Sequence, residues 1–424
     1  MTRKWKFALW GSACTFLVVL VGANLALGDK KIDASVPSLY SVGDPGFRHT
    51  MSVMLGPALV DGNRVTALRN GDEIFPAMLA AIRGAKKSIS FETYIYWSGK
   101  TGDDFTQALS ERARAGVKVH VIFDAVGSGR IDKQGVAQMK AAGVRVETYN
   151  PLRWNSLATM NNRTHRKLLV VDGRVGFTGG VGIADEWTGN AQDPKRWRDM
   201  HFRVEGPVVG QMQAAFMENW IEITGDAHHG EEYFPVLGAA GSQLAQVFVS
   251  SPGGSSQSVQ LMYLLSIAAA SKSIRLSASY FVPDEVEVRM LAEAAKRGVS
   301  VQILVPGPLV DSDVVRSASR ATWGELLRAG VEIHEFMPTL FHVKVMVVDG
   351  LWTSVGSTNF DSRSFSVNDE ANLNVYDEAF ALEQNETFGA DLKRARRVKL
   401  EEWERRPWTQ KLWERTMGLL SSQL

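Results

Sequence analysis

Cysteine is almost missing from this chain. The one present, Cys14, lies inside the first apolar segment, which rules out a disulfide framework and a cysteine-ligated metal site. It also stands too early in that segment to be a lipid-attachment cysteine. A charge excess of one sign is missing too. Lysine and arginine number 47 against 46 aspartate and glutamate, a formal net charge of +1. No basic domain stands apart, so the balance does not point to nucleic acid. One long apolar run is present, Phe7 to Gly28, with Asn24 as its main interruption. At about 1.5 Å per residue it reaches roughly 33 Å as a helix, against a hydrocarbon core of about 30 Å. A single N-terminal transmembrane helix within residues 1–28 is therefore expected. Arg3, Lys4 and Lys6 precede the run and favour an N-terminus in the cytoplasm with the rest of the chain outside; Lys30 and Lys31 weaken that bias. The competing reading is a cleaved signal peptide ending at Ala26-Leu27-Gly28, a poor cleavage site. Either way the chain meets a membrane.

What the chain does contain is a repeated stretch. His165-Arg166-Lys167-Leu168-Leu169-Val170-Val171-Asp172 returns as His342-Val343-Lys344-Val345-Met346-Val347-Val348-Asp349. Each copy reads H-x-K-x-x-x-x-D, and each runs into a glycine turn, Thr178-Gly179-Gly180 and Val355-Gly356-Ser357. Strand alternation puts His and Lys, two apart, on one face. The apolar run between Lys and Asp reads as a strand buried on both faces. One such match arises easily by chance; two with the same offset to a turn do not.

The surroundings repeat as well. Residues 29–60 carry Pro37, Gly43, Pro45, Gly46 and Gly56 with little periodicity and read as a linker. From Val65 strands and helices alternate, as in an α/β layer architecture. Ser88–Tyr96 is answered by Ser273–Phe281, the strand at Val117–Phe123 by Val299–Val305, and Ala141–Val144 by Arg328–Val331. The repeating unit is domain-sized. The join is expected between Gly225 and Gly254, where Gly, Ser and Pro are dense, giving a first half at 61–235 and a second at 236–424.

Two histidines, two lysines and further acids from duplicated halves suggest one composite site. Histidine attacks phosphorus well when a carboxylate fixes its tautomer, and a second histidine can protonate the leaving oxygen. Two lysines suit a phosphodiester, whose non-bridging oxygens carry charge through the transition state. Ser357, Thr358 and the amides of the Gly179 and Gly356 turns offer more donors. This logic needs no metal and no cofactor. Asp199 and Glu370 each follow a histidine by about thirty residues, so each is expected to orient the histidine of its own half.

With these motifs, and with NRTHRKLLVVDGRVGFTGGVGIADEW, WRDMHFRVEGP, SYFVPD and VGSTNFDSRSFSVNDEANLNVYD around them, the chain resembles the phospholipase D superfamily, in particular its bacterial cardiolipin synthase branch. The resemblance runs from about Val65 to the C-terminus. It implies a duplicated phospholipase D-like fold: two α/β/α sandwich halves, pseudo-twofold symmetry, and a site between them. It implies a phosphohistidine intermediate and transfer of a phosphatidyl group to an alcohol: another phosphatidylglycerol, giving cardiolipin, or water, giving phosphatidic acid. Carried over by residue, His165 and His342 become nucleophile and general acid/base, with Lys167 and Lys344 as phosphate clamps. Asp172 and Asp349 take the motif's acidic, largely structural place, and Asp199 and Glu370 match the histidine-orienting acids. Gly179, Gly180, Ser357 and Asn359 form the expected phosphate-binding turns. The sequence does not rank the two histidines; the resemblance favours His165 as nucleophile. One departure stands out: Gly182 occupies the place of Asn359, which implies asymmetric phosphate contacts, with weaker binding or more room for lipid in the first half. A membrane-surface binding protein without turnover is the alternative from another class. The partners implied are phospholipid and membrane, with no nucleic acid; the oligomeric state is not indicated.

Other residues read more plainly. His228-His229 lack ligand partners at metal spacing and read as a solvated loop; His120 and His334 read as structural. Tyr94, Trp97, Tyr280 and Phe281 end strands that lead toward the site, where core packing and a lipid-facing mouth account for them equally well. The C-terminal stretch has a basic run, Lys393 to Lys399, then Trp403, Trp408, Trp413, Met417, Leu419 and Leu420. It reads either as an interfacial helix or as one packed on the second half.

Overall fold

The computed structural model describes residues 15, 32–151, 161–252 and 258–419. The membrane helix expected over 7–28 lies, Thr15 apart, outside the described residues. Among the described residues no helix is long and apolar enough to cross a membrane.

In chain order the first elements are α1 (Pro45–Met54), β1 (Val60–Arg69), α2 (Asn70–Gly84), β2 (Ser88–Thr93), α3 (Lys100–Arg114) and β3 (Lys118–Asp124). Then come α4 (Lys133–Ala141), β4 (Arg145–Tyr149), β5 (Leu168–Val171), β6 (Val175–Gly179), β7 (Met200–Glu205) and α5 (Val209–Thr224). The second series opens with β8 (Gln243–Ser250), α6 (Ser258–Ala269), β9 (Ser273–Ala278), β10 (Phe281–Val282), α7 (Glu285–Lys296) and β11 (Ser300–Pro306). It continues with α8 (Asp313–Arg328), β12 (Glu332–Phe336), β13 (Lys344–Val348), β14 (Trp352–Gly356), β15 (Phe360–Asp361), α9 (Ser362–Ser366) and β16 (Glu370–Tyr376). It closes with α10 (Glu378–Leu392), β17 (Ala395–Arg397), α11 (Leu400–Glu404) and α12 (Trp408–Gly418).

Among the described residues fifteen strands form one mixed sheet, in the order β17-β12-β11-β9-β13-β14-β16-β8-β1-β7-β6-β5-β2-β3-β4. β1 and β8 meet antiparallel at the middle, Val60 opposite Ala245 and Asn63 opposite Gln243. Outward from that seam, β1-β7-β6-β5-β2-β3-β4 on one side matches β8-β16-β14-β13-β9-β11-β12 on the other. The three outer strands are parallel on both sides, and each motif strand, β5 or β13, runs antiparallel to the first of them. β5 and β13 are buried at every position, as expected of β-branched and leucine residues with helices on both faces.

Three large clusters fill the layers. α2, α3 and α4 close one face of the first side around Ile74, Phe105 and Phe91. α6, α7 and α8 do the same on the second, around Leu264, Leu291 and Ile303. The opposite face is one continuous cluster: Met212 of α5 and Phe380 of α10 pack on strands from both sides of the seam. The two sides therefore share a core.

The stretch read as a linker is partly structured. Asp44 caps α1 through Gly46 N, and Pro45 occupies its first turn, a helix start in which the proline is tolerated because its missing N–H has no helical partner. Phe47 and Met51 are fully buried, Phe47 standing edge-on to Trp352 of β14 at 5.3 Å. Burying one such phenylalanine stabilises by roughly 2 kcal/mol. Pro45 and Gly46, which in sequence look like breakers, instead open α1. His228 likewise differs from a solvated loop: its ring stacks on Tyr233 at 5.1 Å and lies 4.3 Å from the ring of His120, whose Nε2 bonds the Tyr233 hydroxyl at 2.9 Å.

Candidate active site

Three strands separate each motif strand from the seam, and main-chain bridges link the segments around the two motifs directly. His165 N donates to Asp369 O at 2.9 Å, and Asp369 N to Arg163 O at 2.9 Å. The partner arrangement is the same: His342 N donates to Arg198 O at 2.8 Å, and Arg198 N to Leu340 O at 2.9 Å. Each histidine is thereby laid beside the residue that precedes the other side's acid.

The consequence is a crossed pairing. His165 Nδ1 lies 2.8 Å from Glu370 Oε1, and His342 Nδ1 lies 2.8 Å from Asp199 Oδ2. The expectation that each acid serves the histidine of its own half is corrected: sequence proximity favoured it, and the bridges override it. An ionised carboxylate can only accept, so where the acid is ionised its Nδ1 partner carries a proton, and Nε2 is left with a lone pair in the neutral ring or a proton in the imidazolium.

His165, Lys167, His342 and Asn359 line one cavity of about 290 Å³. Tyr94, Tyr280, Arg163, Arg363 and Asp311 also line it; the two tyrosines end strands expected to lead toward the site, whereas Arg163, Arg363 and Asp311 were not assigned to it from sequence. Position offered a signal: Tyr94 and Ser279 directly follow β2 and β9, and Asp311 follows β11, at the carboxyl ends of parallel strands where α/β folds bind ligands. A larger cavity of about 850 Å³ lies between α2 and α3 and holds none of the motif residues.

Lys167 donates to His165 O at 2.8 Å and lies 5.6 Å from the Tyr94 ring centre. Lys344 donates to Ser279 Oγ at 2.7 Å and sits 3.3 Å from both ring nitrogens of His342. Ser279 in turn bonds Asn359 Oδ1 at 2.7 Å. The Gly182 counterpart is not empty: a β-carbon there would lie 2.8 Å from Ile95 Cβ and 3.2 Å from Trp187 Cη2. The first side has no extra room for lipid at this place, because larger neighbours fill it.

The glycine turns house acids rather than phosphate. Gly179, Gly180 and Ser357 do not line the cavity. A side chain at Gly180 would collide with the Asp199 carboxylate, while Ser357 donates to Glu370 Oε2 at 2.5 Å. Gly179 and Gly356 have φ of +152° and +159°, and a β-carbon on either would strike main chain of the next strand. Asp172 and Asp349 also stand apart from the cavity. Asp172 accepts from the amides of Lys86, Lys87 and Ser88, and Asp349 from those of Ser271, Lys272 and Ser273. Both take left-handed φ, +55° and +54°, which aspartate tolerates. They anchor the starts of β2 and β9 at the far end of the motif strands.

Electrostatically the two pairs differ. Burial, then Lys167 and Lys344, drives His165 well below its usual range. His342 is lowered by burial and Lys344 against the pull of Asp199. Burial pushes Glu370 up to about 7, against Lys167 and the Ser357 hydroxyl. Burial also pushes Asp199 upward, but His342, Lys344 and the Trp187 indole, which donates to it at 2.8 Å, hold it below the usual carboxylate range. Burial brings Lys167 down to about 7 and Lys344 to about 8. Among the described residues no cluster of three metal-ligating side chains occurs.

A mixed α/β sheet of matching halves whose two motif histidines line one cavity defines a phospholipase D-like protein, and the comparisons agree. The family model described as "Cardiolipin synthase, PLD-like domain" matches residues 78–220 and 263–392. Cardiolipin synthase of Geobacillus kaustophilus is 34% identical over 365 residues, 85% of this chain and 72% of that protein. Cardiolipin synthase 1 of Bacillus cereus is 32% identical over 379 residues, 87% and 74% of the two chains. The chain belongs to the cardiolipin synthase family with the PLD-like domain. In fold it is similar to the crystal structure of phosphatidylserine synthase from Haemophilus influenzae, with TM-score 0.62 and 14% identity over 85% of this chain and 95% of that one.

Proposed function

We propose that this protein transfers a phosphatidyl group between phospholipids, with phosphatidylglycerol as both donor and acceptor, so that cardiolipin and glycerol are the products. The observation that carries the reading is the pair of carboxylate-held imidazoles, His165 and His342, on one cavity with Lys167. Their relatives' names, cardiolipin synthase, supply the substrate class.

In the first step His165 Nε2 attacks the donor phosphorus, and the phosphorus–oxygen bond to glycerol breaks. His342 enters this step as the imidazolium, gives the leaving oxygen its Nε2 proton and is left neutral. In the second step the acceptor's glycerol hydroxyl passes its proton to His342 and attacks phosphorus, and the nitrogen–phosphorus bond breaks. His165 suits attack because it is held neutral, and His342 suits proton transfer because its partner Asp199 stays ionised. Lys167 and Lys344 hold the charge on the non-bridging oxygens. The sheet's matching halves, meeting at β1 and β8, support a duplicated fold with a pseudo-twofold axis through the site. We further propose that residues 1–28 anchor the enzyme in the membrane, with the catalytic part outside the cytoplasm, from the positive charges ahead of the apolar run.

Incubating the purified protein with labelled phosphatidylglycerol tests the reading. Cardiolipin with an equal yield of glycerol is expected; phosphatidic acid as the main product would make it a hydrolase, and no product would leave a binding protein.

A further inference from the structure

We infer that the outer face of α12 is a bilayer-docking surface beside the catalytic mouth. The helix has two apolar faces. Its inner face sets Met417 against Val282, Val315 and Ala318, and buries Glu414 between Arg320 and Arg406 at 3.0 and 2.9 Å. The opposite face carries Trp408, Leu412 and Leu419, which are 74%, 57% and 83% exposed. Spacings of four and seven place these three on one stripe. Lys411 and Arg415 flank it, both exposed. Trp413, 53% exposed, reaches across to Ser317 of α8. Single exposed apolar residues are ordinary, but a stripe with tryptophan and a basic border is the composition of an interfacial helix.

The occupant follows from what the helix sits on. Val315, which Met417 covers, also lines the catalytic cavity. That cavity, about 290 Å³ and walled by charged and hydroxyl groups, takes a headgroup and phosphate but not two acyl chains. The chains therefore stay in the bilayer while the phosphate is processed, and the bilayer surface has to reach the mouth. α12 lies at that rim, and its cations match anionic headgroups. The inference rests on the phospholipid reading of the site; its deciding readout is fluorescence quenching rather than activity.

The full chain is reconstituted in phosphatidylglycerol vesicles whose acyl chains are brominated, and quenching of tryptophan fluorescence is compared between wild type and a Trp408→Phe/Trp413→Phe double variant. Wild type is expected to lose a fraction of its emission that the double variant no longer loses. An equal quenched fraction in both would overturn the docking face. In parallel, Leu412→Glu is compared with wild type in detergent by sedimentation. Wild-type self-association that the substitution abolishes, together with absent quenching, would assign the stripe to a second copy of the chain instead. If quenching behaves as expected but phosphatidylglycerol is not turned over, the docking face stands and the transferase reading falls.

Discussion

On the first side of the seam the motif histidine lies 5.1 Å from the Tyr94 ring, and its carboxylate partner Glu370 is pushed up to about 7. On the second, His342 lies 5.4 and 6.0 Å from the rings of Trp187 and Trp197, and its partner Asp199 is held low by His342, Lys344 and the Trp187 indole. Asp199 occupies the room that Gly180 leaves, whereas Glu370 is capped by the Ser357 hydroxyl. The two sides thus share a strand order and a bridge pattern but present unequal imidazoles. The scaffold supplies the geometry of a composite site, and the residues around each acid make the two histidines electrostatically unequal.

The comparison breaks most sharply at the histidines. His165→Ala and His342→Ala are each expected to lower turnover by about 10³-fold or more with circular dichroism unchanged; either variant keeping a tenth of wild-type activity would mean that the halves act separately. The acids should then separate the sides. Asp199→Asn is expected to reduce kcat by about 10²-fold, whereas Glu370→Gln at pH 7 costs about tenfold, because glutamine reproduces the neutral form that Glu370 already populates. The reverse order would assign the ionised partner to the wrong side. Gly180→Ser should approach the Asp199→Asn defect by displacing the carboxylate, while Ser357→Gly removes one hydrogen bond worth about 1–2 kcal/mol. Kinetics of the two variants side by side check this.

The pH profile sharpens the same contrast. Lys167 and Lys344, lowered to about 7 and 8, lose their protons as pH rises, and Glu370, raised to about 7, loses its carboxylate as pH falls. A bell-shaped kcat/KM with its maximum near pH 7 is expected, and Glu370→Gln should flatten its acid limb. The smallest effect is on stability. A lysine whose folded-state pKa is depressed costs stability that grows as pH falls below its unfolded value and levels off below the folded one. At neutral pH Lys167→Met is therefore expected to raise the thermal midpoint, by about 1 kcal/mol in stability, while abolishing transfer. A lowered midpoint in differential scanning would show that its bond to His165 O outweighs the burial cost.

Much of this was legible in the sequence. The repeated H-x-K-x-x-x-x-D, the alternation of strands and helices, and the acids thirty residues downstream all carry a local pattern, and His165, His342, Asp199 and Glu370 do meet. What was not legible is tertiary. The crossing of the acids depends on bridges between Thr164 and Asp369 and between Arg198 and Phe341, residues far apart in the chain. The seam at β1 is hidden by polar residues and Gly62, since the pattern there is set by pairing with β7 and β8 rather than by alternation. The acid-housing role of Gly180 and Ser357 depends on what lies opposite them, which no turn signature records. Arg163 and Arg363 reach the cavity from outside the strands, one from each side of the seam.

The division of labour between the two histidines is tested most directly with a phosphatidyl donor whose leaving group is p-nitrophenol, which departs without a protonating partner. In single-turnover mixing, His342→Ala should release one equivalent of nitrophenolate in a burst and hold the phosphatidyl label on His165, while His165→Ala should give no burst. A burst and a labelled His342 in the His165→Ala protein would contradict the account.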